Sequence, residues 1–411
     1  MKIKQRISFY RCWLRIKIGA LLQITLSYIL VRWLFRGGRL QINNSTGEAL
    51  QPPFLVLGNH TSNIDPALVQ FILAPQPCYF LTTNFYFRHP LWGKLLRLAG
   101  AIPKVQFLPD LRAAHRALAL LNQDKIVGIF PEGRRSIDGS CGDIPYSIAR
   151  FIQKANVPVL TVKTQGGYFV WPRWSSSWHP GQVEVTINQL LTGQEAATLP
   201  LEQLHAKVRE ALSYNDYDWN RQAGHDYSHH RAAERLDLIL HQCPRCLRER
   251  SMNSQQNRLY CQACGNAAVL DRYGFLQPAD AQCITFATPV QWSAWQRQQM
   301  LSFLKNKNFR LRLPVKEIRV ADPLYGPYRR CGNSGQVNLY QEGLYFHGKI
   351  DGQMKDLFFP IERLPTVSTE FNYDFEVCDT HNAWWIFLEE RQQTIRLENA
   401  IALLHQVRSS R

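Results

Sequence analysis

The chain has 411 residues, a formal net charge of +16 and ten cysteines. This length accommodates two or three domains and excludes a small secreted scaffold held by disulfides, so a reducing compartment is expected. The basic excess asks for an anionic partner, either a membrane surface or nucleic acid, and composition does not separate the two.

Residues 1–47 carry nine Lys or Arg side chains, from Lys2 to Arg39, before the first acidic residue, Glu48. Ile3, Ile7, Tyr10, Leu14, Leu21 and Tyr28 recur at helical spacing, and Ile18 to Val31 is uncharged. This pattern predicts a basic amphipathic segment grading into a short apolar helix. No small-residue cleavage site follows the apolar run, which disfavours a signal peptide. The run is shorter than the roughly 20 residues that span a bilayer, and Trp13 and Trp33 suit interfacial anchoring. The expectation is a membrane-associating helix lying in one leaflet at the cytoplasmic face, in contact with anionic lipids, with a tilted span as the alternative.

From Phe54 the period switches repeatedly. A strand to Gly58, a helix Pro66 to Leu73 with Asp65 as its cap, a strand Cys78 to Thr83 and a helix Pro90 to Ala99 come first. An extended Ala101 to Val105, an Asp110-capped helix with Leu111, Ala114, Leu118 and Leu121 on one face, a strand Ile126 to Phe130, a helix Tyr146 to Ala155 and a strand Val157 to Val162 follow. Strands separated by helices predict an α/β core with a mixed central sheet covered on both faces. An edge strand Val183 to Ile187 completes it, and the domain ends near Leu212. Two strands open into polar turns, one holding His60 and Asp65, the other Pro131 to Ser136. Open α/β sheets keep ligands at such strand ends. A hydrogen-bonded loop histidine is the plainer reading of His60 alone.

Residues 213–232 are polar and read as a linker, in which His225, His229 and His230 are assigned no role. A helix Ala232 to His241 is expected to deliver Cys243-Pro-Arg-Cys246, followed by Cys261-Gln-Ala-Cys264. Two CxxC knuckles close a tetrahedral, fully protein-ligated site, the structural form of zinc binding. An amphipathic helix around Trp292 to Phe303 and a solvated basic run Lys305 to Arg312 make 277–330 a helical connector. Alternation at Val337, Leu339 and 343–346, strands Leu357 to Ile361, Phe375 to Cys378 and Trp384 to Leu388, and a helix Ala400 to Val407 capped by Asn399 predict a small β-rich domain. The resulting layout is a helix over 1–47, the α/β core over 48–215, linker and helix over 216–242, a zinc ribbon over 243–276, the connector over 277–330 and the β-rich domain over 331–411.

His60 and Asp65 match the HxxxxD motif, and Phe130 to Ser136 the FPEGTRS motif, of the glycerolipid acyltransferase family that includes lysophosphatidic acid acyltransferases. The resemblance extends from about residue 40 to about 215. It implies transfer of an acyl chain from a thioester, acyl-CoA or acyl-carrier protein, to a lysophospholipid hydroxyl in phospholipid synthesis, with 1-acylglycerol-3-phosphate as the preferred acceptor. His60 would be the base and Asp65 its orienting partner. Glu132 and Gly133 match the acceptor-binding loop, and Arg135 its arginine, whose fork suits a phosphate. Arg134 stands where the family has threonine, Gln106 stands where it has a second arginine, and Lys104 is the substitute charge nearby. The family's Val-Pro-x-x-Pro survives only as Val157-Pro158-Val159-Leu160-Thr161. The cysteine segment resembles a zinc ribbon, and the tail resembles a pleckstrin-homology-like or GRAM-like module.

The alternatives are an acyltransferase with a non-phosphate lipid acceptor, a catalytically inactive membrane adapter, a thioesterase and a nucleic-acid-binding protein. Intact His60, Asp65 and Glu132 disfavour the adapter. A basic excess concentrated beside an apolar helix, not in an aromatic-interleaved stripe, disfavours nucleic acid as a partner.

Overall fold

The structure is a computed structural model that describes residues 2–46, 50–306, 308–323, 326–371, 373–390 and 392–409, with side chains from residue 18 to 408. It divides into two compact units, Met1–Arg173 with Ser177–Tyr227, and Trp174–Ser176 with Ser228–Arg411.

The first unit runs α1 (Lys2–Leu34), β1 (Leu40–Asn44), β2 (Phe54–Gly58), α2 (Asp65–Leu73), β3 (Cys78–Thr83), α3 (Asn84–Phe87), α4 (Pro90–Leu98), β4 (Ile102–Lys104), α5 (Leu111–Leu121) and β5 (Ile126–Ile129). It continues with α6 (Ser147–Ala155), β6 (Val159–Gln165), α7 (Gly167–Val170), β7 (Val183–Leu191), α8 (Gly193–Thr198), α9 (Leu201–Leu212) and α10 (Asp216–Ala223). Seven strands form one mixed sheet in the order β1-β7-β6-β2-β5-β3-β4. Strand β2 is parallel to both β5 and β6, whereas β7 is antiparallel to β6. All five residues of β2 are buried. A strand covered on both faces has to be apolar throughout, which is why Phe54 to Leu57 reads as a continuous run. Leu55 and Leu57 join Ala117, Leu121, Ile152 and Val208 in one core cluster, so α5, α6 and α9 share that face.

Several expectations are corrected here. Val183 to Ile187 is not at the edge, because β1 pairs with it in parallel. Leu40–Asn44 therefore belongs to the sheet and not to the N-terminal helix segment. Four of its five residues are exposed, so it carries no alternating burial signal to read. Asp65 is the first residue of α2, and Ile64 takes the cap position. Among the described residues, no helix is long and apolar enough to cross a membrane. Helix α1 is continuous and touches α4 backbone to backbone, since a Cβ on Gly19 would overlap the Leu98 carbonyl.

The predicted linker over 213–232 is also corrected. Asn215 caps α10 by accepting from the Tyr217 and Asp218 amides, and Tyr214, Asp216, Tyr217 and Asn220 are all buried. Over 214–220 the segment is polar because its side chains cap and hydrogen-bond inside the fold; from Arg221 to Ala232 most residues are exposed, as expected of a linker.

In the second unit, β8 (Met252–Gln255), β9 (Arg258–Cys261), β10 (Ala267–Leu270) and β11 (Leu276–Pro278) form an antiparallel sheet in the order β11-β10-β9-β8. Helix α11 (Pro289–Leu304) leads to β12 (Leu311–Ala321), β13 (Arg329–Gly332), β14 (Gly335–Leu339), β15 (Gly343–Ile350), β16 (Gln353–Pro360), β17 (Asp374–Cys378), β18 (Ala383–Leu388) and α12 (Gln393–Ser409). The last seven strands make one antiparallel sheet, β16-β15-β14-β12-β18-β17, with β13 beside β12. Its core includes Leu313, Val337, Phe346 and Ile386 together with Leu397, Ala400 and Ile401 of α12.

Three readings fail in this unit. Residues 232–241 form turns with a 3₁₀ turn only at Leu236–Leu238, and backbone groups there bond outside the segment, the Ala233 amide to the Gln256 carbonyl and the Arg235 amide to the Ser254 hydroxyl. Gln296 donates to the Ile239 carbonyl and accepts from the Gln242 amide, and the Trp292 indole donates to the Gln242 carbonyl. The connector over 277–330 contains β12, an inner strand of the sheet, in which buried Leu311, Leu313 and Val315 alternate with exposed Arg312, Pro314 and Lys316. Helix α12 begins at Gln393, so Asn399 lies inside it.

Candidate functional site

Strands β2 and β5 are parallel neighbours with Leu57 opposite Ile129. Each chain therefore leaves the sheet at the same edge, and His60 and Glu132 emerge at equivalent distances beyond it. The edge is the carboxyl end of the parallel strands, where α/β folds place ligands.

The His60 Nδ1 lies 2.8 Å from Asp65 Oδ2. Asp65 is 1% exposed and is satisfied on every side. The Ser62 amide donates to Oδ2 at 2.8 Å, while the Thr61 and Ser62 hydroxyls each donate to Oδ1 at 3.1 Å. A carboxylate held by this many donors keeps its orientation, and its contact with Nδ1 leaves Nε2 as the ring nitrogen able to take up a proton. Phe130 stacks on the imidazole with centroids 4.6 Å apart. Gly58 makes room for that ring, since a Cβ there would stand 2.6 Å from it. Behind the loop, Asn59 exchanges two 2.7 Å hydrogen bonds with the Thr164 backbone and extends the β2–β6 pairing by side chain.

The second loop is tied to the first at two points. Ser136 donates its amide to the His60 carbonyl at 2.8 Å. Glu132, buried, accepts the His60 amide on Oε1 and the Gly142 amide on Oε2, both at 2.7 Å. Burial raises the Glu132 carboxyl to about 7, against the lowering effect of these two amides. Glu132 thus bridges the two loops.

Lys104 departs from expectation as well. Its ammonium donates to the Val105 and Leu108 carbonyls at 3.0 and 3.3 Å, and burial lowers its pKa. It is occupied by backbone and offers little to an anion. Gln106, standing in place of an arginine, donates to the Gly133 carbonyl at 2.6 Å and so braces the second loop. Gly133 has φ 71°, a conformation that favours glycine. Arg134 lies over the Phe107 ring at 5.9 Å, and Arg135 next to it is half-buried.

Sequence reasoning assigned no role to Asn59, Thr61, Phe130 or Tyr214. The first three adjoin motif residues and were within reach, whereas Tyr214 comes from the supposed linker. Its hydroxyl lies 3.4 Å from both Glu132 Oε2 and the His60 carbonyl.

In the second unit, Cys243, Cys246, Cys261 and Cys264 place their sulfurs within 4.8 Å of one another. The Cys243–Cys264 and Cys246–Cys261 separations are both 3.7 Å. Four thiolates at about 2.3 Å from a tetrahedral zinc would stand about 3.8 Å apart. The cluster therefore fits a metal of that kind.

Glutamine at position 132 would present one acceptor oxygen to two amides. Glu132→Gln should therefore accelerate hydrogen exchange at either His60 or Gly142 by roughly fivefold or more, the worth of one hydrogen bond. Equal protection of both amides in the variant would mean that the carboxylate is not the bridge.

Residues 40–165 match the Acyltransferase family model. A 1-acyl-sn-glycerol-3-phosphate acyltransferase of Bacillus subtilis (strain 168) is 22% identical over 180 residues, covering 43% of this chain and 86% of the relative. One from Chlamydomonas reinhardtii is 26% identical over 172 residues, covering 40% of this chain and half of the relative's length. The crystal structure of a 1-acyl-sn-glycerophosphate acyltransferase from Thermotoga maritima aligns with a TM-score of 0.41 at 22% identity, over 50% of this chain and 79% of that one. With both motifs present and matched residues spanning both loops, the chain is an acyltransferase whose residues 40–165 carry the Acyltransferase family domain and the motif pair seen in glycerolipid acyltransferases.

Proposed function

We propose that the enzyme acylates a lysophospholipid, with 1-acylglycerol-3-phosphate as acceptor and a thioester of CoA or acyl-carrier protein as donor. The observation that carries this reading is the His60–Asp65 pair, held at the sheet edge beside the arginine-bearing loop. Nε2 of His60 takes the proton of the acceptor hydroxyl as its oxygen attacks the thioester carbonyl. The tetrahedral intermediate collapses with cleavage of the C–S bond, and the departing thiolate recovers the proton from the imidazolium. The products are an ester and a free thiol. Asp65 fixes the tautomer and stabilises the charged imidazole.

Arg135, with Arg134 beside it, is the natural seat of the acceptor phosphate. Because Lys104 is engaged by carbonyls and Gln106 by Gly133, phosphate recognition rests on these two arginines. That economy is also what favours a second reading, a lipid acceptor without a phosphate. His60→Ala should lower turnover by roughly 10²–10⁴-fold while leaving the protein folded, the usual contribution of a positioned base. Arg135→Ala should raise the KM for lysophosphatidic acid roughly tenfold or more, as expected for a charge-assisted hydrogen bond. Turnover on lysophosphatidic acid no better than on monoacylglycerol would overturn the phosphate reading and leave acyl transfer standing.

Membrane association at the cytoplasmic face is the setting we propose. Helix α1 exposes Ile18, Leu21, Leu26, Tyr28, Ile29 and Trp33, and α4, packed against it, exposes Leu91 and Trp92 at 59% and 55%. The basic N-terminal segment adds attraction to anionic lipid. Leu91→Glu combined with Trp92→Glu should weaken binding to anionic vesicles roughly a hundredfold, since each buried apolar side chain contributes about 1.5 kcal/mol or more. Complete release of the unaltered protein by high salt alone would exclude an inserted apolar face.

The four-cysteine cluster is proposed to hold structural zinc, and the sheet closed by α12 to be a pleckstrin-homology-like or GRAM-like module. When bound, zinc would supply folding energy to the segment around Cys243 to Cys264. Chelation, or Cys243→Ser with Cys246→Ser, should unfold that segment and leave single-turnover acyl transfer intact. Immediate loss of transfer on chelation would instead connect the metal with the chemistry.

A further inference from the structure

We infer that Tyr214 is a positioning residue, part of a latch at residues 214–216 that sets the spacing of the two catalytic loops; this rests on the reading of His60 as the base. The latch lies outside the family-matched residues 40–165. Its main chain pairs with the loop after the Glu132 motif. The Cys141 amide donates to the Tyr214 carbonyl at 3.0 Å, the Asp216 amide donates to the Gly139 carbonyl at 2.9 Å, and Asn215 forms an antiparallel bridge with Ser140. The next residue, Gly142, donates to Glu132, whose other oxygen holds the His60 amide. Residues 214–216 thus hold the loop that holds the carboxylate that holds His60.

The Tyr214 side chain acts at the same junction. Its ring is buried, and its hydroxyl sits between Glu132 Oε2 and the His60 carbonyl, 3.4 Å from each. A single hydroxyl proton within reach of one acceptor on each loop bridges the two loops. Burial raises its pKa well above the usual value, so it stays a donor across the working range.

A second route reaches the pair from behind. Asp216, fully buried, accepts from the Tyr168 amide in the first turn of α7 at 3.0 Å. Gly167 of that turn abuts the Thr61 hydroxyl, which donates to Asp65. The latch therefore supports His60 through Glu132 and Asp65 through Thr61.

The test uses the full-length protein with ¹⁵N-labelled histidine. The low-field Nδ1–H resonance of His60 is identified by its loss in His60→Ala. In Tyr214→Phe the ring remains and the hydroxyl goes. This resonance should then exchange faster with solvent, and kcat should fall roughly tenfold with acceptor KM changed less than about twofold, the pattern of lost orientation rather than lost binding. p-Aminophenylalanine at position 214 restores a donor on the same ring and should recover both. An unchanged Nδ1–H resonance in Tyr214→Phe overturns the inference whatever the activity. Full activity in His60→Ala would overturn the base assignment instead, and the resonance in Tyr214→Phe would still decide the latch.

Discussion

The arrangement at the sheet edge depends on one buried carboxylate. Strands β2 and β5 deliver two loops to the same place, but parallel pairing ends at Leu57 and Ile129 and gives no control beyond them. Glu132 extends that control by accepting one amide on each oxygen, from His60 and from Gly142. Burying a carboxyl is unfavourable unless its oxygens are satisfied. Its pKa near 7 records the balance between desolvation and the two amides. The glutamate of the second motif is thus the joint between the loops.

Around that joint, the imidazole is constrained from three directions. Asp65 holds one ring nitrogen, Phe130 lies against one face, and the backbone carbonyl of His60 receives the Ser136 amide. Such redundancy costs little in side-chain entropy, because most partners are backbone amides or short side chains already fixed by the fold. Lys104, expected as the substitute charge near the second loop, is turned instead to the Val105 and Leu108 carbonyls.

The second unit solves a different problem. Its short strands β8 to β11 have little apolar surface to bury, and a four-thiolate cluster at tetrahedral spacing is the means small sheets commonly use to hold together. Helix α11 supports the approach to the first cysteine knuckle through Gln296 and Trp292. The larger sheet buries a contiguous core against α12 and needs no such staple.

The local features were legible because each is written over a few adjacent residues. The apolar run of β2, the Asp110 cap of α5, the HxxxxD and FPEG-type loops and the paired CxxC knuckles could all be read directly. Tertiary structure decided what depends on partners distant in sequence. Strand β1 has exposed residues and exists because β7 pairs with it; β12 hides its alternation inside a basic run until β14 and β18 flank it. The polar stretch after Leu212 looks like a linker because polarity does not say whether water or protein meets a side chain. In the fold, Asn215 caps α10, Asp216 caps the turn at Tyr168 and Tyr214 reaches the Glu132 joint. Residue types and short spacings therefore specified the His60–Asp65 pair and the four-cysteine cluster, whereas the groups that hold that pair in place were decided by contacts between segments that only folding brings together.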